Sequence, residues 1–160
     1  MRVAFLVEHL HSGGVERTVS YVAAHCAHHG IETTILSVSN EIFYTLDPAI
    51  QLITLDVPQG YKRIWEKYIR IAERIIKTRK AIKEGQYDVV FCMAPQVCKY
   101  ILPLLKKKKF SLISSERNNP VYEEKKNIGI KEKVFSLCDG IVFQTKRARD
   151  WFPSDCMGIP

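Results

Sequence analysis

A chain of 160 residues, 46% hydrophobic and 26% charged, has the composition of one globular domain and the length to bury a core. Its net charge of +7 favours anionic partners. No apolar run approaches the ~18 residues a spanning helix needs, the start lacks the features of a signal peptide, and the five cysteines are odd in number with four placed in or at the ends of expected helices and strands as small core residues, so a reducing, cytoplasmic setting is expected.

The opening stretch, Arg2 to Val38, reads as a β-strand, a turn, a helix and a second strand. Val3 to Val7 is a short continuous apolar run, as in a strand covered on both faces. The helix carries Val15, Val19, Val22 and Cys26 on one stripe and ends at His28-His29-Gly30, where glycine suits a left-handed cap. Thr33 to Val38 is β-branched and reads as strand two. Between strand and helix lie Gly13 and Gly14. Glycine there allows a tight turn or positive φ, and lets a phosphate or sugar oxygen approach the helix N-terminus. The plain alternative is that the pair only makes the turn. The spacing is not the dinucleotide fingerprint G-x-G-x-x-G.

Ile50 to Leu55 reads as strand three. Lys62 to Glu84 reads as a long helix closed by Gly85, with Ile64, Tyr68, Ile71, Ile75 and Ile82 as an apolar stripe expected to pack inward. Its other face is rich in Lys and Arg, and Lys67, Arg70, Arg74 and Lys77 are the candidates for contact with an anionic membrane surface. Tyr87 to Cys92 is strand four, and Met93 to Gln96 a turn opening a helix toward Leu105 that Pro103 kinks or ends. Lys106 to Lys109 is a solvated connector, and Phe110 to Ser114 is strand five. Residues 121 to 129 read as a mobile loop, Lys131 to Cys138 as a short helix, Gly140 to Gln144 as strand six. Thr145 is the N-cap of a last helix that stops at Pro153.

Six strands alternating with helices give an α/β, doubly wound, Rossmann-like parallel sheet as one domain over 1–160. Ligands of such sheets bind beyond the carboxyl ends of the strands. That edge collects Glu8 to Gly14, Met93 to Gln96, Ser115 to Asn119, and Gln144 with Thr145. Glu16, in the first helical turn, complements the helix dipole more naturally than it acts as a base. His25, His28 and His29 have metal-compatible spacing but sit away from this edge, so they read as solvated histidines at a helix end and no metal site is expected.

Ser12-Gly13-Gly14-Val15-Glu16-Arg17, Ser115-Glu116-Arg117-Asn118-Asn119-Pro120, Asp139 to Thr145 and the closing Gly158-Ile159-Pro160 resemble, in order and spacing, the first domain of family 4 retaining glycosyltransferases of the GT-B fold, capsule and glycan-assembly type. The resemblance implies the acceptor-binding half of an enzyme that moves a sugar from a nucleotide-sugar donor to a glycan or lipid-linked glycan. It implies no obligatory metal or cofactor, and a second, donor-binding C-terminal domain outside this chain. Glu116 and Arg117 occupy the position implied for catalysis; many members carry a histidine where this chain has Arg117, which cannot act as a base and suits a donor-sugar or phosphate contact. Gly13, Gly14, Glu16, Asn118, Asn119, Gln144 and Thr145 are the implied acceptor or phosphate contacts.

The expected partners are the nucleotide sugar, the acceptor, the donor domain and, peripherally, the inner face of the cell membrane, with nucleic acid not among them. A different class remains open: a non-catalytic module that anchors a partner transferase subunit at the membrane. A plain nucleotide-binding oxidoreductase domain is disfavoured, because no acidic residue ends strand two at Val38-Ser39-Asn40.

Overall fold

The computed structural model describes residues 1–58, 60–102, 108–122 and 125–153. Six strands form one parallel sheet: β1 (Arg2–Val7), β2 (Glu32–Ser37), β3 (Gln51–Thr54), β4 (Val89–Cys92), β5 (Ser111–Glu116) and β6 (Gly140–Phe143). Their order is β3-β2-β1-β4-β5-β6, with all pairs parallel. The expected α/β, doubly wound, Rossmann-like architecture is therefore the observed one.

Alternation along the strands feeds two core layers. Val3, Phe5 and Val7 of β1 face Val19 and Ala23 of α1 (Gly14–His28). Ala4 and Leu6 face the opposite layer, which holds Ile82 of α2 (Ile64–Gly85), Val97 and Cys98 of α3 (Pro95–Cys98), and Val134 and Phe135 of α4 (Lys125–Phe135). Both faces of the central strand are covered, which is why its sequence is a continuous apolar run rather than an alternating one. At the sixth strand's end, Phe135, Phe143 and Phe152 pack with ring centroids 5.0–5.8 Å apart. A final short helix, α5 (Lys146–Asp150), is capped by Thr145, whose hydroxyl accepts from the Ala148 N–H at 3.1 Å.

Several local expectations change. In α1 the buried pair is Val19 and Ala23, while Val22 is exposed. Gly30 does take positive φ after the helix, at 76°. Residues 125 to 129, read as loop, are the first turns of α4, preceded by a short 3-10 turn at Pro120–Tyr122. Helix α3 is a single turn; Pro103, Leu105, Lys106, Lys107, Cys156 and the Gly158-Ile159-Pro160 stretch lie outside the described residues. Lys108 is not simply solvated: it pairs with Asp139, whose carboxylate also accepts the Leu112 N–H at 2.7 Å and is held below its ordinary range against the opposing effect of burial.

The largest departure is in α2. Its C-terminal half packs as expected, with Thr78 and Ile82 buried. Its N-terminal half does not: Ile64 is 75% exposed and Tyr68 68%, with Trp65 and Ile69 also open to solvent. The reason is length. A helix of 22 residues is roughly 33 Å long, whereas the four-residue strand β4 spans about 13 Å. The helix overhangs the sheet, and among the described residues nothing buries the apolar side chains of its first turns.

Candidate functional site

Both clefts of interest open at the carboxyl edge of the sheet. The strand order reverses direction between β1 and β4, and the first cleft, of about 320 Å³, lies there. Val7, Glu8 and His9 enter from the end of β1, Glu16 from α1, Arg74 from α2, and Gln96 and Tyr100 from the chain after β4. Glu8 is the hub. Its carboxylate lies 2.7 Å from Arg74 Nη1 and accepts the Tyr100 hydroxyl at 2.8 Å, while Arg74 Nη1 also donates to the Tyr100 oxygen at 3.2 Å. Burial, then the Glu8 charge beside it, push the Tyr100 hydroxyl up to about 12. Arg74 keeps one buried N–H, at Nε, without a hydrogen-bond partner. Glu8 and Arg74 are thus matched to each other, while Lys99, which also lines the cleft, holds its ammonium 5.0 Å from the Tyr100 ring centroid. Sequence spacing gave no sign of this hub, because Glu8 and Tyr100 are 92 positions apart.

The glycine turn lies next to this cleft, which Val15 and Glu16 line and Gly13 and Gly14 do not. Gly13 is extended, with φ −148° and ψ 169°, and neither Gly13 nor Gly14 has positive φ. A Cβ at Gly13 would meet the Glu16 carboxylate, which folds back over the turn and, as the end of a flexible side chain, would have to move aside. Glu16 Oε1 also lies 3.2 Å from His9 Nδ1. The Tyr44 hydroxyl donates to the Gly13 carbonyl at 3.0 Å, and a bridge between Leu10 and Ile42 braces the other side. Gly14 faces open space, so a small side chain there meets nothing.

The second cleft, about 250 Å³, lies between the ends of β5 and β6. It brings together Arg117, Asn118, Asn119, Gln144 and Thr145, the residues picked out by their sequence positions, and adds Arg147 and Trp151. Strand β5 runs through Ser115 and Glu116, so both are buried. Glu116 Oε2 lies 2.6 Å from Lys131 Nζ, and Oε1 accepts the Asn118 N–H at 2.8 Å. Glu116 and Lys131 are each 1% exposed. Glu116 is therefore a buried anchor beneath the loop that also lines the floor of the cleft, and Arg117 lines it beside Glu116. Burial lowers the Arg117 guanidinium's affinity for its proton, and its Nε lies buried without a hydrogen-bond partner. Asn119 Oδ1 accepts the Val121 N–H at 3.1 Å and so shapes the turn as well as the cleft wall.

The basic quartet on α2 is not equally free. Arg74 belongs to the Glu8 hub, Arg70 lies 3.4 Å and Lys77 2.9 Å from Glu73, and of the four Lys67 alone has no acidic partner among the described residues, its ammonium 5.8 Å from the Tyr61 ring centroid. His28 lies 2.8 Å from Asp47, and His25 stacks on His29. Among the described residues no group of three or more His, Cys, Asp or Glu is placed to hold a metal ion, and no helix is long and apolar enough to cross a membrane.

No family model and no curated protein sequence matches the chain. Solved structures do. A sucrose-phosphate synthase from Thermosynechococcus elongatus superposes with a TM-score of 0.73 over 94% of this chain at 10% identity. The lipopolysaccharide outer core galactosyltransferase WaaB gives 0.72 over all of it at 17% identity, and MurG of Acinetobacter baumannii 0.63 over 96% at 13%. The fold is that of one half of a GT-B protein. The chain spans 44%, 44% and 43% of the length of these three.

Proposed function

We propose that this chain is the acceptor-side half of a retaining glycosyltransferase, which moves a sugar from a nucleotide-sugar donor to a glycan or lipid-linked acceptor in capsule or envelope glycan assembly, without a metal or other cofactor. The observation that carries the reading is convergence: polar groups from four separate loops meet at the carboxyl edge of a parallel sheet whose fold is a GT-B half. Gly13, Gly14 and Glu16 line the acceptor approach at the switch point. Arg117, Asn118, Asn119, Gln144 and Thr145 face the transferred sugar or its phosphate, with Glu116 holding the loop in place. Arg117 stabilises negative charge on the departing phosphate rather than moving a proton. The resemblance to family 4 enzymes supports retention of configuration, and the WaaB likeness is in keeping with glycan assembly.

The donor half lies in a second domain. The 160-residue chain alone is expected to transfer no sugar from a panel of UDP- and GDP-sugars, and transfer is expected once a donor-binding domain is supplied, as one polypeptide or as a partner subunit. Transfer by the chain alone would overturn the division of labour.

The overhanging start of α2 supports a peripheral site on the cytoplasmic face of a membrane, and equally favours the second reading, a module that anchors a partner transferase there. Tyr61, Ile64, Trp65, Tyr68 and Ile69 are exposed beside Lys62, Arg63 and Lys67, a combination that suits insertion between anionic headgroups. Vesicle co-sedimentation separates this from a purely electrostatic stripe. Trp65→Ser with Ile69→Ser is expected to weaken binding more than charge reversal at Arg70 and Lys77, whose charges Glu73 already shares.

A further inference from the structure

The β5–β6 cleft carries two guanidinium charges that no ion pair among the described residues matches. Two guanidiniums, Arg117 and Arg147, line it. The carboxylates closest in sequence are committed elsewhere, Glu116 to Lys131 at 2.6 Å and Asp150 to Arg149 at 2.7 Å. Among the described residues neither Arg117 nor Arg147 has an ion-pair partner. Arg117 is partly desolvated with a buried, unused Nε–H, a state that costs free energy until an acceptor arrives. The same cleft holds Trp151, 49% exposed at the end of α5, an aromatic face on which a sugar ring can lie. Asn118 and Gln144 add neutral hydrogen-bonding groups of the kind that read ring hydroxyls.

We infer that this cleft is a subsite for an anionic saccharide, with Arg117 and Arg147 holding a carboxylate or phosphate oxyanion and Trp151 carrying the sugar ring to which it is attached. The inference rests on the reading of this sheet edge as a saccharide-binding edge, and it names the ligand's chemistry. Planar, multi-donor guanidiniums match an oxyanion in a way that a lone amide cannot. The oxyanion has two sources: a uronate-type carboxylate on the acceptor glycan, or the phosphate of the nucleotide sugar. Both present a negative group on a sugar ring, and both fit two arginines beside an aromatic plate.

The test uses Trp151 as its own reporter. The chain has two tryptophans, so Trp65→Phe leaves Trp151 as the single tryptophan, excited at the long-wavelength edge of its absorption to pass over the tyrosines. This background is titrated with a glucuronate-containing disaccharide, with its neutral glucose counterpart, with UDP-glucose and with inorganic phosphate. The expected result is a saturable change in Trp151 emission with the uronate disaccharide, with UDP-glucose or with both, and the responding arm names the source. Affinity at least tenfold above that for the neutral disaccharide is expected, falling at least tenfold in Arg117→Gln and in Arg147→Gln, with thermal melting showing that both variants stay folded. Equal response to neutral and acidic sugar, a response to inorganic phosphate as tight as to any saccharide, or no response from any ligand overturns the inference. A chain that binds the acidic saccharide yet supports no transfer with a donor domain fails only the functional reading. A chain that supports transfer while Trp151 stays silent fails only this one.

Discussion

The two clefts at the carboxyl edge of the sheet solve opposite problems with similar residues. At the switch point between β1 and β4, Arg74 is countered by Glu8 and hydrogen-bonded to Tyr100, so its charge is matched before any ligand arrives. Between β5 and β6, Arg117 and Arg147 line the second cleft without an ion-pair partner among the described residues, and Glu116, which lines it too, is paired with Lys131. The first arrangement fixes geometry: it ties α2 and the chain after β4 to the end of β1. The second keeps unspent charge. An arginine beside a carboxylate is scaffold, whereas an arginine whose carboxylate has been taken by a buried lysine is available for recognition.

The most damaging way to break this contrast is to return Glu116's charge to the second cleft's foundation. Lys131→Met leaves a buried carboxylate without its cation and is expected to cost about 3–5 kcal/mol of stability by urea denaturation. Adding Glu116→Leu to Lys131→Met is expected to recover most of that loss. If the single variant melts like wild type, the pair is not the anchor described. Next in size is the hub of the first cleft. Arg74→Ala leaves Glu8 and Tyr100 to each other and is expected to cost about 1–3 kcal/mol, less than the first variant because Arg74 and Glu8 retain partial solvent contact.

A pH experiment sharpens the same point. Tyr100 titrates at about 12 in the folded chain against an ordinary value of 10.0. Below 10 the hydroxyl is protonated in both folded and unfolded states, and its contribution to stability is fully present. As pH rises from 10 toward 12 the unfolded chain releases the proton first, so stability falls across that window. Tyr100→Phe is expected to start from lower stability at neutral pH and to lose less between pH 10 and 12. Parallel curves for the two proteins would remove Tyr100 from the hub.

The smallest effects lie in the glycine turn. Gly14→Ala meets open space at unstrained φ and is expected to raise stability by about 0.4–1 kcal/mol. Gly13→Val forces the Glu16 carboxylate away from His9, and is expected to slow transfer by the assembled enzyme more than it lowers the melting temperature.

Much of the fold was legible because it is local. Val3 to Val7 and Thr33 to Val38 announce strands by composition, and Gly30 and Gly85 mark where α1 and α2 stop. Gly85 is needed for a reason that composition does not show: a Cβ there would strike the Tyr87 ring. The stripe on α2 misled because helical periodicity says which residues share a face, not whether a sheet is long enough to cover them. The Glu8–Arg74–Tyr100 hub was invisible because three distant stretches meet only through the sheet topology. Glu116 stood out in sequence as an exposed-looking polar residue after a strand, and one further pair of strand residues buried it. Trp151 and Arg147 could have been noticed: α5 reads Lys-Arg-Ala-Arg-Asp-Trp with no apolar stripe, directly after a strand that ends at the ligand edge.

The difference between the paired Arg74 and the unpaired Arg117 and Arg147 is tested most directly by arginine side-chain NMR. The Nε–H resonances of Arg74, Arg117 and Arg147 are followed while the glucuronate disaccharide or UDP-glucose is added to the 160-residue chain. Arg117 and Arg147 are expected to shift together and saturably while Arg74 stays where it was. A saturable shift of Arg74 with Arg117 and Arg147 unmoved would contradict it.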